Sequence, residues 1–140
     1  MRDDLILQAF VVGQSASVSL LIGAHQTIPL LPARQTLSQD DRLQYLGGAL
    51  PLPAPLAERA TALALQAVAD IADLRGYVGV DLVLGDDGDF TIEINPRLTT
   101  SYLGLRQVCR ANLAELMLRC ARDESIEPPT WEMRPVVFTP

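Results

Sequence analysis

The chain contains no lysine; its eleven basic residues are all arginine. It has one histidine, two cysteines and few aromatic residues, and no run of 18 apolar residues anywhere. Each shortage excludes something. Without an apolar run of membrane length, no transmembrane helix is predicted. A net charge of −6 leaves no basic footprint for nucleic acid. Asp3 and Asp4 stand where a secretory leader needs basic residues, so no signal peptide is predicted and a cytoplasmic location is expected. Cys109 and Cys120 fall in one predicted helix, about 16 Å apart along its axis at 1.5 Å per residue, too far for a disulfide. His25 lies in a predicted turn and reads as a surface residue.

What is present is apolar. Hydrophobic residues make up 49% of the chain and charged residues 20%, and 140 residues can enclose a core. The prediction is one domain over 1–140, with 124–140 as a tail. Strands are expected near residues 5–12, 16–23 and 26–31. Residues 35–55 read as a loop, with Gly47-Gly48 inside and prolines near its end. A helix is expected over 56–74, with Leu63, Ala64, Ala67, Val68 and Ile71 at helical spacing and Gly76 just past its end. A second helix is expected from 103 or 104 to 122, with Leu105, Val108, Leu113, Leu116, Met117 and Cys120 facing the core. In the tail, Trp131 reads as a packing plug and 134–139 as an edge strand. The fold class is α+β, a mainly antiparallel sheet with helices packed on one face.

The chemistry gathers at two strands. In Phe90-Thr-Ile-Glu-Ile-Asn-Pro-Arg97, alternate residues point to opposite faces, so Glu93 and Asn95 share one. Pro96 ends the strand, since it has no N–H for the ladder, and Arg97 follows. The preceding strand, 77–84, places Gly79, Asp81 and Val83 on one face and Val80, Leu82 and Leu84 on the other. A two-residue turn at Asp87-Gly88 would put Asp81 and Glu93 on opposite faces. A three-residue loop, 86–88, pairs Gly85 with Asp89 and sets Asp81 opposite Glu93, with Gly79 opposite Asn95. That register also gathers Val80, Leu82, Leu84, Phe90, Ile92 and Ile94 on one buried face, so burial selects it. Two carboxylates directly opposite repel unless a cation or solvent intervenes, and oxygen ligands of this kind suit Mg²⁺. An ordinary solvated hairpin face is the other reading of this spacing.

Gly79-Val-Asp81 followed by Ile92-Glu-Ile-Asn-Pro-Arg97 resembles the C-terminal signature of the ATP-grasp ligases. The run from Asn95 to Arg106, with Tyr45-Leu-Gly-Gly48, resembles the branch that contains tyramine–glutamate ligases and related carboligases. Residues 7–19 resemble the family's hinge strand. The likeness implies ATP with Mg²⁺, or Mn²⁺, as cofactors, held through Asp81, Glu93 and Asn95. It implies Arg97 at the transferring phosphate or the substrate carboxylate, and Gln8, Ala9, Phe10 and Val11, with Val83, around adenine. Thr99, Thr100 and Ser101 read as helix caps or as contacts to substrate or phosphate, with Thr100 and Ser101 the substrate candidates. The implied activity is ligation of a small carboxylate to an amine or similar nucleophile through an acyl phosphate.

The departures set a second expectation. The family's phosphate-binding lysines and Gly-rich loop are absent, and Gln8 stands where an acid is common. The chain therefore reads as the C-terminal half of an ATP-grasp unit, a piece of a longer ligase, inactive alone. The rival is a non-catalytic module of the same fold that self-associates through the bare hinge side. Either way a homo-oligomer is expected, with no nucleic-acid or membrane partner.

Overall fold

A computed structural model describes residues 8–40 and 42–140. The elements are β1 (Gln14–Ile22), β2 (Thr27–Pro29), β3 (Ala33–Leu37), β4 (Tyr45–Leu50), α1 (Ala54–Val68), β5 (Gly76–Leu84), β6 (Asp89–Asn95), α2 (Ser101–Val108), α3 (Leu113–Ala121) and β7 (Val136–Phe138). The strands form one antiparallel sheet in the order β6-β5-β1-β3-β4-β7, with β2 also on β1. The α+β class and the antiparallel sheet are as the sequence predicts. The helices, however, do not share one face.

The two faces of β1 and β5 have different covers. Val18, Leu20, Val78, Val80 and Leu82 pack with Ala60, Ala64 and Val68 of α1. Leu21 and Tyr77, on the other face, pack with Leu105 and Val108 of α2 and Leu113, Leu116 and Cys120 of α3. Small alanines on α1 let the helix lie close on the β-branched strand surface.

Several boundaries differ from expectation, each for a local reason. The expected loop at 35–55 holds β3 and β4. Gly47 and Gly48 are there for space, since a Cβ on Gly48 would lie 2.6 Å from the Phe138 ring, and one on Gly104 of α2 2.4 Å from it. The expected helix over 103–122 is two helices. Around Cys109 the backbone bonds to the tail instead, with Glu132 N donating to Val108 O and Arg110 N to Thr130 O. Asn112 then caps α3, accepting from Glu115 N at 3.2 Å. Cys109 and Cys120 thus lie outside any common helix, and both thiols are free. Trp131 packs on this core, as a plug should. Helix α1 stops at Val68, and Ile71, expected in its core face, is 43% exposed. Residues 8–12 carry no strand, and the rest of that expected strand lies outside the described residues. His25 is exposed.

Candidate active site

The β5–β6 hairpin brings the acids together. Asp81 pairs with Glu93 and Gly79 with Asn95, the register the apolar pattern selects. The half nearer the turn is different. Leu82 pairs with Thr91, Val83 with Phe90 and Leu84 with Asp89, so Ile92 is an extra residue in a bulge. The loop has four residues, 85–88, closed by Gly85 N donating to Gly88 O at 3.0 Å, in place of the expected three. Phe90 and Ile92 consequently leave the buried set expected for them and are 46% and 58% exposed. Arg59 of α1 holds the turn, donating to Asp89 Oδ2 at 3.0 Å and to Gly85 O at 2.6 Å. The guanidinium keeps the Asp89 carboxyl below the usual carboxylate range.

Asp81 is the centre of a hydrogen-bonded chain. Gln35 Nε2 donates to its Oδ1 at 2.9 Å, and Asn95 Nδ2 lies 3.3 Å from its Oδ2. Arg97 donates to Asn95 Oδ1 at 3.0 Å. Burial, then the facing charge of Glu93, push the Asp81 carboxyl up, against the opposing pull of Gln35, Arg97 and Asn95. Tyr45 is also raised, by burial and then by the charge of Asp81.

The segment carrying Arg97 is pinned from beneath. Thr99 lies over Gly79, where a Cβ would meet the threonine methyl at 2.4 Å. Its hydroxyl meets Tyr77 OH at 3.2 Å, and Tyr77 OH meets Ser19 Oγ at 2.5 Å. Ser101 Oγ bonds Ser17 Oγ at 2.9 Å. Thr100 is the N-cap of α2 but makes no side-chain cap bond. The hydroxyls of Thr99 and Ser101 thus tie to the sheet, not to the helix end.

A cavity of about 810 Å³ opens over this face. Asp81, Val83, Asn95, Arg97, Thr100 and Ser101 line it, and so do Gln8, Ala9, Phe10 and Val11. All the candidate residues except Glu93 are in its wall. Glu93 is exposed beside Asp81. Residue 13 must be small for the segment 8–12 to pass here, since a Cβ on Gly13 would lie 2.5 Å from Leu84 O and 2.8 Å from Val83 Cγ1. Among the described residues no three His, Cys, Asp or Glu side chains cluster. The wall also contains Ser15, Gln35, Leu37, Tyr45 and Ile92. Those on β3 and β4 were hidden by reading that stretch as loop. Ile92 was hidden by the bulge.

Comparison with known proteins bears on this arrangement. The family model described as the ATP-grasp domain matches residues 1–101. The chain belongs to the ATP-grasp family. It is 36% identical over 125 residues to the tyramine–L-glutamate ligase of Methanocaldococcus jannaschii, covering 89% of this chain and 39% of that protein. The corresponding ligase of Methanocaldococcus fervens is 37% identical over 124 residues, covering 89% of this chain and 40% of that protein. This ATP-grasp chain thus spans about two fifths of the length of these curated relatives. Its fold matches an ATP-grasp superfamily protein from Archaeoglobus fulgidus (TM-score 0.70, 26% identity, 93% of this chain and 46% of that one). It also matches the N5-carboxyaminoimidazole synthetase of Staphylococcus aureus complexed with ADP (TM-score 0.75, 13% identity, 90% of this chain and 34% of that one). The second likeness is one of fold alone.

Proposed function

We propose that this chain is the nucleotide- and cation-binding half of an ATP-dependent ligase that joins a carboxylate to an amine or a similar nucleophile. The observation that carries the reading is the meeting of Asp81, Asn95 and Arg97 with residues 8–11 around one cavity of about 810 Å³. The donor set suits Mg²⁺ or Mn²⁺. Asp81 and Glu93 face each other across a strand pair and offer hard carboxylate oxygens, and the Asn95 amide oxygen, which accepts from Arg97, would have its second lone pair to add. Burial and, after it, the facing charge of Glu93 lift the Asp81 carboxyl, and a cation between the acids would relieve the second of these. When bound, the cation would neutralise charge on the ATP phosphates.

In this reading residues 8–11, with Val83 and Ile92, form the slot for adenine. The substrate carboxylate takes the terminal phosphoryl group of ATP, giving an acyl phosphate and ADP. The amine then attacks the acyl carbon, and phosphate leaves. Arg97 would steady the transferring group or the carboxylate, because its fork matches either. Thr100 and Ser101 lie beside it in the wall and would meet the substrate. Catalysis of this kind rests on positioning and charge neutralisation. The relatives' substrates, tyramine and L-glutamate, are the first pair to try. The remaining part of the unit would come from sequence that this chain does not include.

The test is calorimetric titration of the chain, and of a longer protein containing it, with ATP and Mg²⁺. Binding that weakens on Asp81→Asn and Glu93→Gln is expected. Nucleotide binding indifferent to both substitutions overturns the reading.

A further inference from the structure

Gln35 is the one side chain outside the β5–β6 hairpin and its Arg97 loop that donates to Asp81 among the described residues. It comes from β3, two strands away, with β1 between. Its neighbour Arg34 pairs with Ala16. The side chain therefore spans β1 to reach β5. It can do so because β1 presents only serines there, Ser15 opposite Val83 and Ser17 opposite Asp81. A larger residue at either position would fill the path. Gln35 takes one carboxylate oxygen of Asp81 and Asn95 approaches the other, so the carboxyl plane is fixed from both ends. Arg97 then takes the Asn95 carbonyl.

We propose that Gln35 is a positioning residue for Asp81, holding its carboxylate in the plane from which Asn95 and Arg97 are set and a divalent cation is received. The cation part rests on the function proposed above; the ordering of Asp81, Asn95 and Arg97 does not. A donor bound to one oxygen leaves that oxygen's other lone pair, and those of the second oxygen, for a metal. Partners that orient a metal-binding carboxylate in this way are worth about 10–100-fold in metal affinity. Gln35 is half-buried and its hydrogen bond is satisfied, so a purely structural role would show only in stability.

The experiment compares the wild-type chain with Gln35→Met, which keeps length but lacks the donor, and Gln35→Lys, which restores a donor of similar reach. Gln35→Leu stands by should the Met variant misfold. Two readouts are taken on each. The first is the side-chain amide NMR signal of Asn95 without metal. The second is Mn²⁺ affinity by electron paramagnetic resonance. Loss of the donor should shift and broaden the Asn95 signal and weaken Mn²⁺ binding about tenfold. The Lys variant should keep the Asn95 signal near its wild-type position. An unchanged Asn95 signal in a folded donor-less variant overturns the proposal, as does an equal change in the Met and Lys variants. If the wild type takes up no Mn²⁺, the cation reading fails, and the amide signal alone decides the role of Gln35.

Discussion

Strands β1 and β5 present two faces that differ in almost every residue. Toward α1 they show Ala16, Val18, Leu20, Ile22, Val78, Val80, Leu82 and Leu84, all buried and all aliphatic. On the opposite face they show Ser15, Asp81 and Val83 in the cavity wall, Ser17, Ser19 and Gly79 beneath Ser101, Tyr77 and Thr99, and Leu21 and Tyr77 in the α2–α3 core. The same backbone and the same ladder serve both. Alternation along the strand is therefore a division of labour: one face supplies stability, and the other carries hydroxyls, an acid and a gap for Thr99. Tyr77, Ser19 and Ser17 mark the seam, since their hydroxyls bond to one another or to Thr99 and Ser101, so among the described residues the polar face has no orphaned buried side-chain group.

If the division is real, substitutions on the two faces should separate in what they harm. Leu20→Ala, on a fully buried residue of the α1 face, should lower unfolding free energy by about 3 kcal/mol in urea denaturation. Glu93→Gln, on the exposed side, should leave the melting temperature within about a degree of wild type and, under the function proposed above, lower ligase turnover in a longer protein containing this chain by about a hundredfold. A Glu93 variant that melts early, or a Leu20 variant that stays stable, breaks the comparison. Gly79→Ala lies on the seam. Its Cβ must push Thr99 off Tyr77, so about 1–2 kcal/mol of stability and several-fold of turnover should be lost together.

The smallest effect sharpens the contrast by its sign. Burial and Glu93 raise the Asp81 carboxyl, so the folded chain holds its proton to higher pH than the unfolded one. That penalty is absent below the unfolded carboxylate range and grows as pH rises through the folded value. Without metal, Asp81→Asn should therefore raise the melting temperature at neutral pH by roughly 3 °C, and this gain should vanish in acid. A melting temperature that falls at neutral pH contradicts it.

The pairing of Asp81 with Glu93 was legible in the sequence because alternation and burial agree on it. The bulge at Ile92 was not. It depends on how the turn is held, by Arg59 from α1 and by the segment that passes at Gly13, and neither contact is local. The split at Cys109 was masked by apolar spacing that continues across it, although Asn112 with Glu115 three residues on was a readable start signal. Strands β3 and β4, and with them Gln35 and Tyr45, were lost because Gly47-Gly48 reads as a turn when the reason for glycine sits at residue 138. What sequence periodicity misses in this chain is consistently a demand made from far along it.

That socket for Phe138 has a consequence for the order of events during synthesis. β4 and α2 are made well before the strand that joins them, and until residues 136–138 leave the ribosome the glycine-walled slot stands open beside Leu50 and Leu105. The α1 side needs nothing beyond β6, so it can consolidate while the other core still waits. A nascent chain halted between β6 and β7 would carry a finished face and an unfinished one, and the unfinished one is where chaperones would be met.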